Sequence, residues 1–380
     1  MIYLDNAATT LRKPSCVIRA VEKAMRYAAN AGRGGYSGAG LSEQILFDCR
    51  SAAAELFGVK GADKVVFTLN ATHALNIAIN SVIQPKMKVL ISGYEHNAVS
   101  RPLYARYLDG VKVTVVRGEL FEPEYFLYEL EKELERGADA VCCTHVSNVF
   151  GYILPIERVD ELCARYGVPL IIDASQSAGS VPLNCSEFKA AQFVGMPGHK
   201  GLLGPQGTGI LLCLADKGEP IMFGGTGADS KNRYMPEYLP ERLEAGTQNV
   251  HGIAGLAEGI KTIKNLGVEN IARYEKELIK SIIKGLELTP KVKLYYANPL
   301  FCQNGVMSFN VRDADSEQVA SELEKMGIAV RAGFHCAPLA HESAGTISGG
   351  TVRISVSPFT TRGEIGKFVY ALKKLTEILK

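Results

Sequence analysis

The stretch PLIIDASQSAG, residues 169–179, places an aspartate directly after a short apolar run. A run of this length, rich in leucine and isoleucine and followed by turn-forming residues, is typical of a buried β-strand. Similar runs precede and follow it in the chain, at 65–68, 88–92, 112–116, 139–145, 191–195 and 209–213. Together they predict a seven-stranded sheet, in which the strand at 169–173 ends on Asp173.

Helical patterns between many of these runs indicate how the strands connect. They lie at 42–57, 72–83, 97–108, 122–136 and 156–166. Strands separated by helices favour crossover connections, and therefore a mostly parallel α/β sheet flanked by helices. The runs at 191–195 and 209–213 are joined by a glycine-rich loop with no obvious helix, so we expect one antiparallel strand there.

The pattern changes after about residue 250. A long helical region covers 252–287, and short strands follow near 292–296, 305–311 and 351–356, with helices near 315–326 and 361–379. At the other end, Pro14 is suited to the first turn of the first helix. We therefore predict a large domain at 14–250 and a smaller α+β domain formed by 1–13 and 251–380.

The composition argues against several classes of function. Lys and Arg total 42 against 40 Asp and Glu, so the basic surface of a nucleic-acid-binding protein is not expected. The chain start resembles no signal peptide, and the apolar runs are too short to cross a bilayer. The nine cysteines include no C-x-x-C pair, so neither a metal site nor a disulfide framework is indicated, and a reducing cytoplasm is the expected compartment.

Polar residues follow the carboxyl ends of five of the predicted strands. Ligands of open α/β sheets bind beyond these ends, so the residues should lie along one edge of the sheet. Solvated loop residues would produce the same pattern, and that alternative stays open. The residues are Thr72, His96, Asn148, Asp173, Gln176, His199 and Lys200.

Some of these residues suit a phosphorylated cofactor with a charged ring, although each has a simpler interpretation. A carboxylate such as Asp173 is costly after an apolar strand unless it meets a positive group, for example a protonated pyridine nitrogen, or caps a helix. Lys200 lies beside apolar sequence, where desolvation favours Schiff-base chemistry, but a lysine in a glycine-rich loop is also common at surfaces. The N–H groups at Ala71 and Thr72, which open a helix, suit either a phosphate or an ordinary helix cap.

Four motifs carry a resemblance to a known family: YLDNAATT (3–10), DASQSAG (173–179), GHKGLLGPQGTG (198–209) and LEAGTQN (243–249). In combination they resemble the class V aminotransferase-like family of pyridoxal-phosphate enzymes. Within it the chain is most similar to the cysteine desulfurases and selenocysteine lyases. The resemblance runs from the first residues to the last helix, and implies the fold type I of pyridoxal-phosphate enzymes.

The resemblance implies a role for each residue around the cofactor ring. Lys200 would hold pyridoxal 5′-phosphate as a Schiff base, and Asp173 would pair with its pyridine nitrogen. Gln176 would donate to the phenolic oxygen of the ring. His96 would stack on the ring and is available to shuttle protons. Asn148 would lie near the cofactor oxygen and the substrate.

The resemblance also implies how the phosphate is bound. Ala71, Thr72 and His199 would hold it within one subunit. Thr247, in the motif LEAGTQN, would reach the phosphate of the neighbouring subunit, which implies a homodimer.

The implied reaction converts L-cysteine to L-alanine and leaves the sulfur as a persulfide on Cys336, in the motif RAGFHCAP (331–338). Arg353 would bind the substrate carboxylate through its planar guanidinium. Arg331 and His335 lie close to Cys336 in the chain and could favour its thiolate. The short segment between Cys336 and Arg353 resembles the short-loop members of the family, so a sulfur-acceptor protein would have to approach the mouth of the site. L-selenocysteine could follow the same path.

Two other functions stay open at this level. The chain could be an aminotransferase or a β-lyase on another amino acid, with Cys336 incidental, or a scaffold that retains only the fold. Four residues also depart from the family pattern: Tyr36 replaces a usual histidine, His73 a usual glutamate, Pro197 a usual serine or threonine, and Phe334 a common histidine. They leave the substrate preference and the acceptor in doubt.

Overall fold

A computed structural model describes residues 1–32 and 34–378. Its largest feature is the predicted seven-stranded sheet, in the order β2-β8-β7-β6-β5-β3-β4. Strand β8 is antiparallel to both of its neighbours and the remaining pairs are parallel, so the expected single antiparallel strand is confirmed. The strands are β2 (Val65–Thr68), β3 (Lys88–Ser92), β4 (Lys112–Val116), β5 (Ala140–Thr144), β6 (Leu170–Asp173), β7 (Ala191–Pro197) and β8 (Gly209–Cys213).

Helices cover both faces of this sheet. Side chains of β6 alternate between the two faces: Leu170 and Ile172 pack into one apolar cluster and Ile171 into the other. The first cluster contains side chains of α2 (Ser37–Phe57), α5 (Pro123–Glu135), α6 (Ile156–Tyr166) and α7 (Val250–Leu266), and the second those of α3 (Ala71–Val82) and α4 (Asn97–Ala105). The first helix, α1 (Ser15–Tyr27), packs on α7.

Two predicted helix boundaries were wrong. The helical region expected at 252–287 is two helices, because Gly267 adopts a φ of 80° and ends α7 before α8 (Val268–Leu286) begins. That conformation is strained for residues with a Cβ. Pro14 lies at the N-cap of α1 rather than in its first turn, with an extended ψ of 143°.

A smaller antiparallel sheet lies in the C-terminal part of the chain, in the order β12-β13-β10-β9. Its strands are β9 (Val292–Tyr295), β10 (Val306–Val311), β12 (Arg331–Gly333) and β13 (Thr351–Ser355). Helices α8, α9 (Ser316–Lys325) and α11 (Arg362–Ile378) contribute to its apolar core, in which Phe309 packs against Phe368. Residue 379 of the predicted last helix, and residue 380 at the end of the predicted small domain, lie outside the described residues.

The N-terminal segment joins the two sheets. Strand β1 (Ile2–Tyr3) pairs in parallel with β11 (Ile328–Ala329), and Asp5 forms a bridge with Ser355. The segment then reaches the large sheet, where the Thr10 hydroxyl donates to the Lys200 carbonyl. A short helix, α10 (Pro338–Ser343), follows β12. In the described parts of the chain, no helix has the length and apolar character needed to span a membrane.

Candidate functional site

A cavity of about 300 Å³ opens beyond the carboxyl ends of the large sheet, where the N-terminal segment and the small sheet meet it. It brings together every predicted site residue except Thr247, although these residues come from widely separated parts of the chain. Those that line it are Ala71, Thr72, His96, Asn148, Asp173, Gln176, His199, Lys200, Cys336 and Arg353.

Lys200 and Asp173 form the charged centre of the cavity. Burial lowers the pKa of Lys200 to about 8, and the nearby Asp173 carboxylate opposes that shift. Burial raises the pKa of Asp173, and the backbone N–H of Ser175, which donates to its Oδ1 at 2.8 Å, limits the rise. Among the described residues, no side chain makes a hydrogen bond or ion pair with the Lys200 ammonium, so its Nζ is available to a ligand.

The His96 ring is held in one tautomer at the start of α4. Its Nδ1 accepts a hydrogen bond from the backbone N–H of Ala98 at 3.0 Å, so in the neutral ring the hydrogen lies on Nε2. Burial, and then the charge of Lys200, lowers the pKa of His96 to about 4. The ring is therefore neutral at neutral pH and presents an N–H donor.

The N-terminus of α3 forms one end of the cavity. Asn70 caps the helix by accepting from the backbone N–H of His73 at 2.9 Å, which leaves Ala71 and Thr72 in the first turn. Helix N-termini attract anions through their free N–H groups and the helix dipole. His199 completes this end: its Nδ1 lies 3.0 Å from the Thr9 hydroxyl, and burial lowers its pKa to about 4.

The structure gives Gln176 a hydrogen-bond partner that was not expected, and it places Thr247 outside the cavity. The Gln176 amide Nε2 already donates to the Ala7 carbonyl at 3.0 Å, so one of its two hydrogens is left for a ligand. Thr247 lines a separate cavity of about 120 Å³, together with His73. Its predicted contact with a neighbouring subunit therefore stays a prediction.

Arg353 also lines the cavity and is 2% exposed. Its Nη1 donates to the Asn148 carbonyl at 2.9 Å, and its Nη2 donates to Asp5 Oδ1 at 2.7 Å. The buried Nε has no partner among the described residues. Sequence reasoning missed Asp5 as a site residue, although it stands in the motif YLDNAATT.

The loop that carries Cys336 is tied down at two successive carbonyl groups. The Asn148 side chain donates to the carbonyl of His335 at 2.7 Å, and the backbone N–H of Asn97 donates to that of Cys336 at 2.8 Å. Both loop residues have positive φ angles, 50° and 57°, which are unusual for residues with a Cβ. The nine cysteines of the chain are all free, and Cys336 is the exposed one.

The four departures from the family pattern lie at different distances from the cavity. Pro197 lines it and, lacking an N–H and a hydroxyl, offers no hydrogen to a ligand. Tyr36 and Phe334 are exposed and lie outside the cavity lining, and the Phe334 ring packs edge-on against His341. In the described part of the chain, no group of three or more His, Cys, Asp or Glu is arranged to hold a metal ion.

Comparison with known proteins identifies a family for the chain. The family model described as Aminotransferase class-V matches residues 2–368. A probable cysteine desulfurase from Pyrococcus abyssi is 32% identical, over 100% of this chain and 95% of the relative. Another from Methanothermobacter thermautotrophicus is 32% identical, over 96% and 92%.

Solved structures agree with the sequence comparison. An apo cysteine desulfurase from Thermococcus onnurineus is similar with a TM-score of 0.90 and 31% identity, over 100% of this chain and 95% of that one. The similarity covers the whole chain, and therefore both sheets, and it confirms the predicted fold class.

Proposed function

Because the chain belongs to the class-V aminotransferase family and, within it, to the cysteine desulfurases, we propose that it converts L-cysteine to L-alanine and keeps the sulfur as a persulfide on Cys336. The observation that carries this proposal is that one cavity is lined by an amine, a thiol and a guanidinium. These belong to Lys200, Cys336 and Arg353.

Members of this family use pyridoxal phosphate, and the cavity fits that cofactor. It supplies a buried lysine with a lowered pKa, a buried carboxylate for the ring nitrogen and a helix N-terminus for the phosphate. Asn148 adds a buried Oδ1 that lacks a partner among the described residues. When bound, pyridoxal phosphate supplies an electron sink that stabilises negative charge at the Cα of an amino acid.

The family resemblance implies the cofactor contacts, and we propose them on that basis. Lys200 would hold the cofactor covalently, Asp173 would keep its ring nitrogen protonated, and His96 would stack on the ring. Gln176 would donate its remaining amide hydrogen to the phenolic oxygen, beside Asn148. Ala71, Thr72 and His199 would bind the phosphate.

The same residues provide the acid–base steps. Because its pKa is lowered to about 8, the free Lys200 amine is partly neutral near neutral pH and would be able to take the proton from the substrate Cα. Asp173 favours the protonated ring because its own carboxylate is buried and needs a positive partner. His96 offers its Nε2–H close to the same centre.

The sulfur step falls to Cys336. Arg353 and Asn148 would orient the substrate through its carboxylate. The Cys336 thiolate would then attack the substrate sulfur, so that a sulfur–sulfur bond forms while the carbon–sulfur bond breaks. The electron pair of the broken bond stays with the carbon skeleton, which leaves as alanine after protonation. The new persulfide stays on the tied loop, so an acceptor protein must come to the mouth of the cavity.

Several finer assignments are part of this proposal. A homodimer, in which Thr247 reaches the phosphate of the neighbouring subunit, is supported by the position of Thr247 outside the lining of the cavity that holds Lys200 in its own subunit. L-selenocysteine fits the same path as cysteine. The division into domains at 14–250 and at 1–13 with 251–380, and a cytoplasmic location, stay predictions. An aminotransferase or β-lyase is disfavoured because it would need no exposed thiol in the cavity.

The mass of the Cys336 peptide after anaerobic incubation with L-cysteine tests the function. We expect a gain of one sulfur atom on that peptide, loss of sulfide release in Cys336→Ala, and no change in Cys16→Ser, which removes a half-buried cysteine elsewhere. Sulfide release from Cys336→Ala at the wild-type rate would overturn the desulfurase assignment and favour the β-lyase.

A further inference from the structure

Two arginines lie side by side on adjacent strands of the small sheet, at the edge of the cavity. In the antiparallel pair β12–β13, Arg331 lies directly opposite Arg353. Directly opposed residues project from the same face of a sheet, and both of these side chains line the cavity. Like charges in this arrangement destabilise a sheet, so an anion is needed to make the pair favourable.

The two arginines have different partners. Arg353 is buried. Its Nη1 donates a hydrogen bond to the Asn148 carbonyl, and its Nη2 donates one to Asp5, with which it forms an ion pair. Arg331 is exposed at the cavity mouth and makes no hydrogen bond or ion pair with any residue that the structure describes. Asp5 therefore balances the charge of Arg353, whereas the charge of Arg331 is left for a ligand.

Neighbouring groups do not change this balance. Burial and the surrounding arginines lower the pKa of His96 and His335, so both rings are neutral at neutral pH. Lys200 faces its own carboxylate, Asp173. Arg331 lines the same cavity as Lys200 and His96, and its charge makes a small contribution to the lowered pKa of both groups.

We propose that Arg331 is a substrate-binding residue that shares the carboxylate of the amino acid with Arg353, and that Asp5 is a positioning residue that holds the Arg353 guanidinium. Arg353 supplies fixed geometry with its charge already balanced, and Arg331 supplies the net charge that draws the carboxylate in. This assignment rests on the proposed function, because it names how that substrate is recognised.

Comparing the binding of an amine that carries a carboxylate with one that does not isolates carboxylate recognition and requires no turnover. The holoenzyme is titrated with L-alanine and with ethylamine, which is alanine without its carboxylate, and the absorbance of the bound cofactor is followed. In Arg331→Gln we expect L-alanine to bind about tenfold more weakly, as for the loss of one charge-assisted hydrogen bond, with ethylamine unchanged. Arg331→Lys should recover part of the loss, and Arg312→Gln, which removes an exposed arginine after β10, should bind both amines normally.

Asp5→Asn tests the positioning role. The variant should bind L-alanine more weakly, with ethylamine binding unchanged. It should also raise KM for L-cysteine with little change in kcat, because Arg353 loses its orientation rather than its charge. A general folding defect would instead lower the cofactor content and weaken the binding of both amines equally.

Unchanged affinity of Arg331→Gln for L-alanine would overturn the inference. Slower alkylation of Cys336 by iodoacetamide in that variant, with normal L-alanine binding, would assign Arg331 to the thiolate instead. A holoenzyme that binds L-alanine through Arg331 but never forms a persulfide would refute the proposed function and leave the arginine assignment standing.

Discussion

The backbone N–H of Asn97 donates a hydrogen bond to the carbonyl of Cys336 at 2.8 Å, so the residue after His96 holds the loop of the exposed thiol. Asn97 is also the first residue of α4. The contact therefore couples the helix that positions the His96 ring to the residue that would attack the substrate sulfur. It joins the large sheet to the loop between β12 and β13.

Replacement of Asn97 by proline should remove this contact and little else. Proline is tolerated at the first helical position, and the extended backbone of His96, with φ of −76° and ψ of 156°, suits a residue before proline. The Cys336 loop would lose one of its two carbonyl anchors. We expect normal cofactor absorbance and a rate of sulfide release about tenfold lower, because misplacement of a nucleophile is costly.

The matched control is Asn97→Ala, which retains the N–H and should behave like the wild type. Equal sulfide release by the proline and alanine variants would show that the hydrogen bond does not position Cys336. Loss of bound cofactor in the proline variant alone would assign the contact to His96 instead.

The backbone of Gly179, near Gln176, packs closely against that of Gly201, next to Lys200. This contact fixes the distance between the two segments that carry Gln176 and Lys200. A Cβ on Gly201 would lie 2.3 Å from the Ala178 carbonyl oxygen, and one on Gly179 would lie 2.5 Å from the Gly201 carbonyl oxygen. Neither carbonyl can move without shifting the segment that carries a site residue. We expect Gly201→Ala to lower the free energy of unfolding by about 2–4 kcal/mol and to reduce cofactor binding.

Gly366→Ala is the control for this change. Gly366 lies within α11 with open space where a Cβ would be, so alanine should raise stability by up to about 1 kcal/mol through its higher helix propensity. Urea unfolding followed by circular dichroism measures both variants. Wild-type stability and cofactor content in Gly201→Ala would show that the two segments can separate without loss.

The strands of the large sheet could be predicted from the sequence because each is a short apolar run between turn residues. The gathering of polar residues in one cavity at its edge could be predicted because these residues follow those runs in the sequence. Strands β1, β11 and β12 could not, since two or three residues show no periodicity and form only by pairing with distant partners such as Ile2 with Ile328. The break at Gly267 was missed because the apolar pattern continues on both sides of it.

The charged residues that lie next to each other in the site could not be predicted from the sequence either. Asp5 and Arg353 are 348 residues apart, and no local pattern indicates that they meet. The opposition of Arg331 and Arg353 depends on the register of two strands, one of which was not predicted. Motifs can thus indicate which residues act, whereas the partners that set their charge balance depend on the fold.

Glu275 is a buried carboxyl whose ionisation should control stability at high pH. It is 5% exposed, makes no hydrogen bond or ion pair with a described residue, and adjoins a cavity of about 30 Å³ where both sheets meet. Burial raises its pKa from 4.5 to about 8. Between these values the folded protein retains a proton that the unfolded chain has lost, so stability falls as the pH rises and levels off above about pH 8.

Glu275→Gln removes this penalty, because the amide is similar in size and carries no charge. We expect the variant to gain on the order of a few kcal/mol in the free energy of unfolding at pH 9 relative to the wild type, with the difference shrinking to near zero at pH 4.5. Glu277→Gln on the same helix is the control, since its exposed ion pair with Arg362 contributes little at either pH. A constant difference between Glu275→Gln and the wild type across this pH range would contradict the prediction, because it would show that Glu275 ionises with the same pKa in the folded and unfolded states.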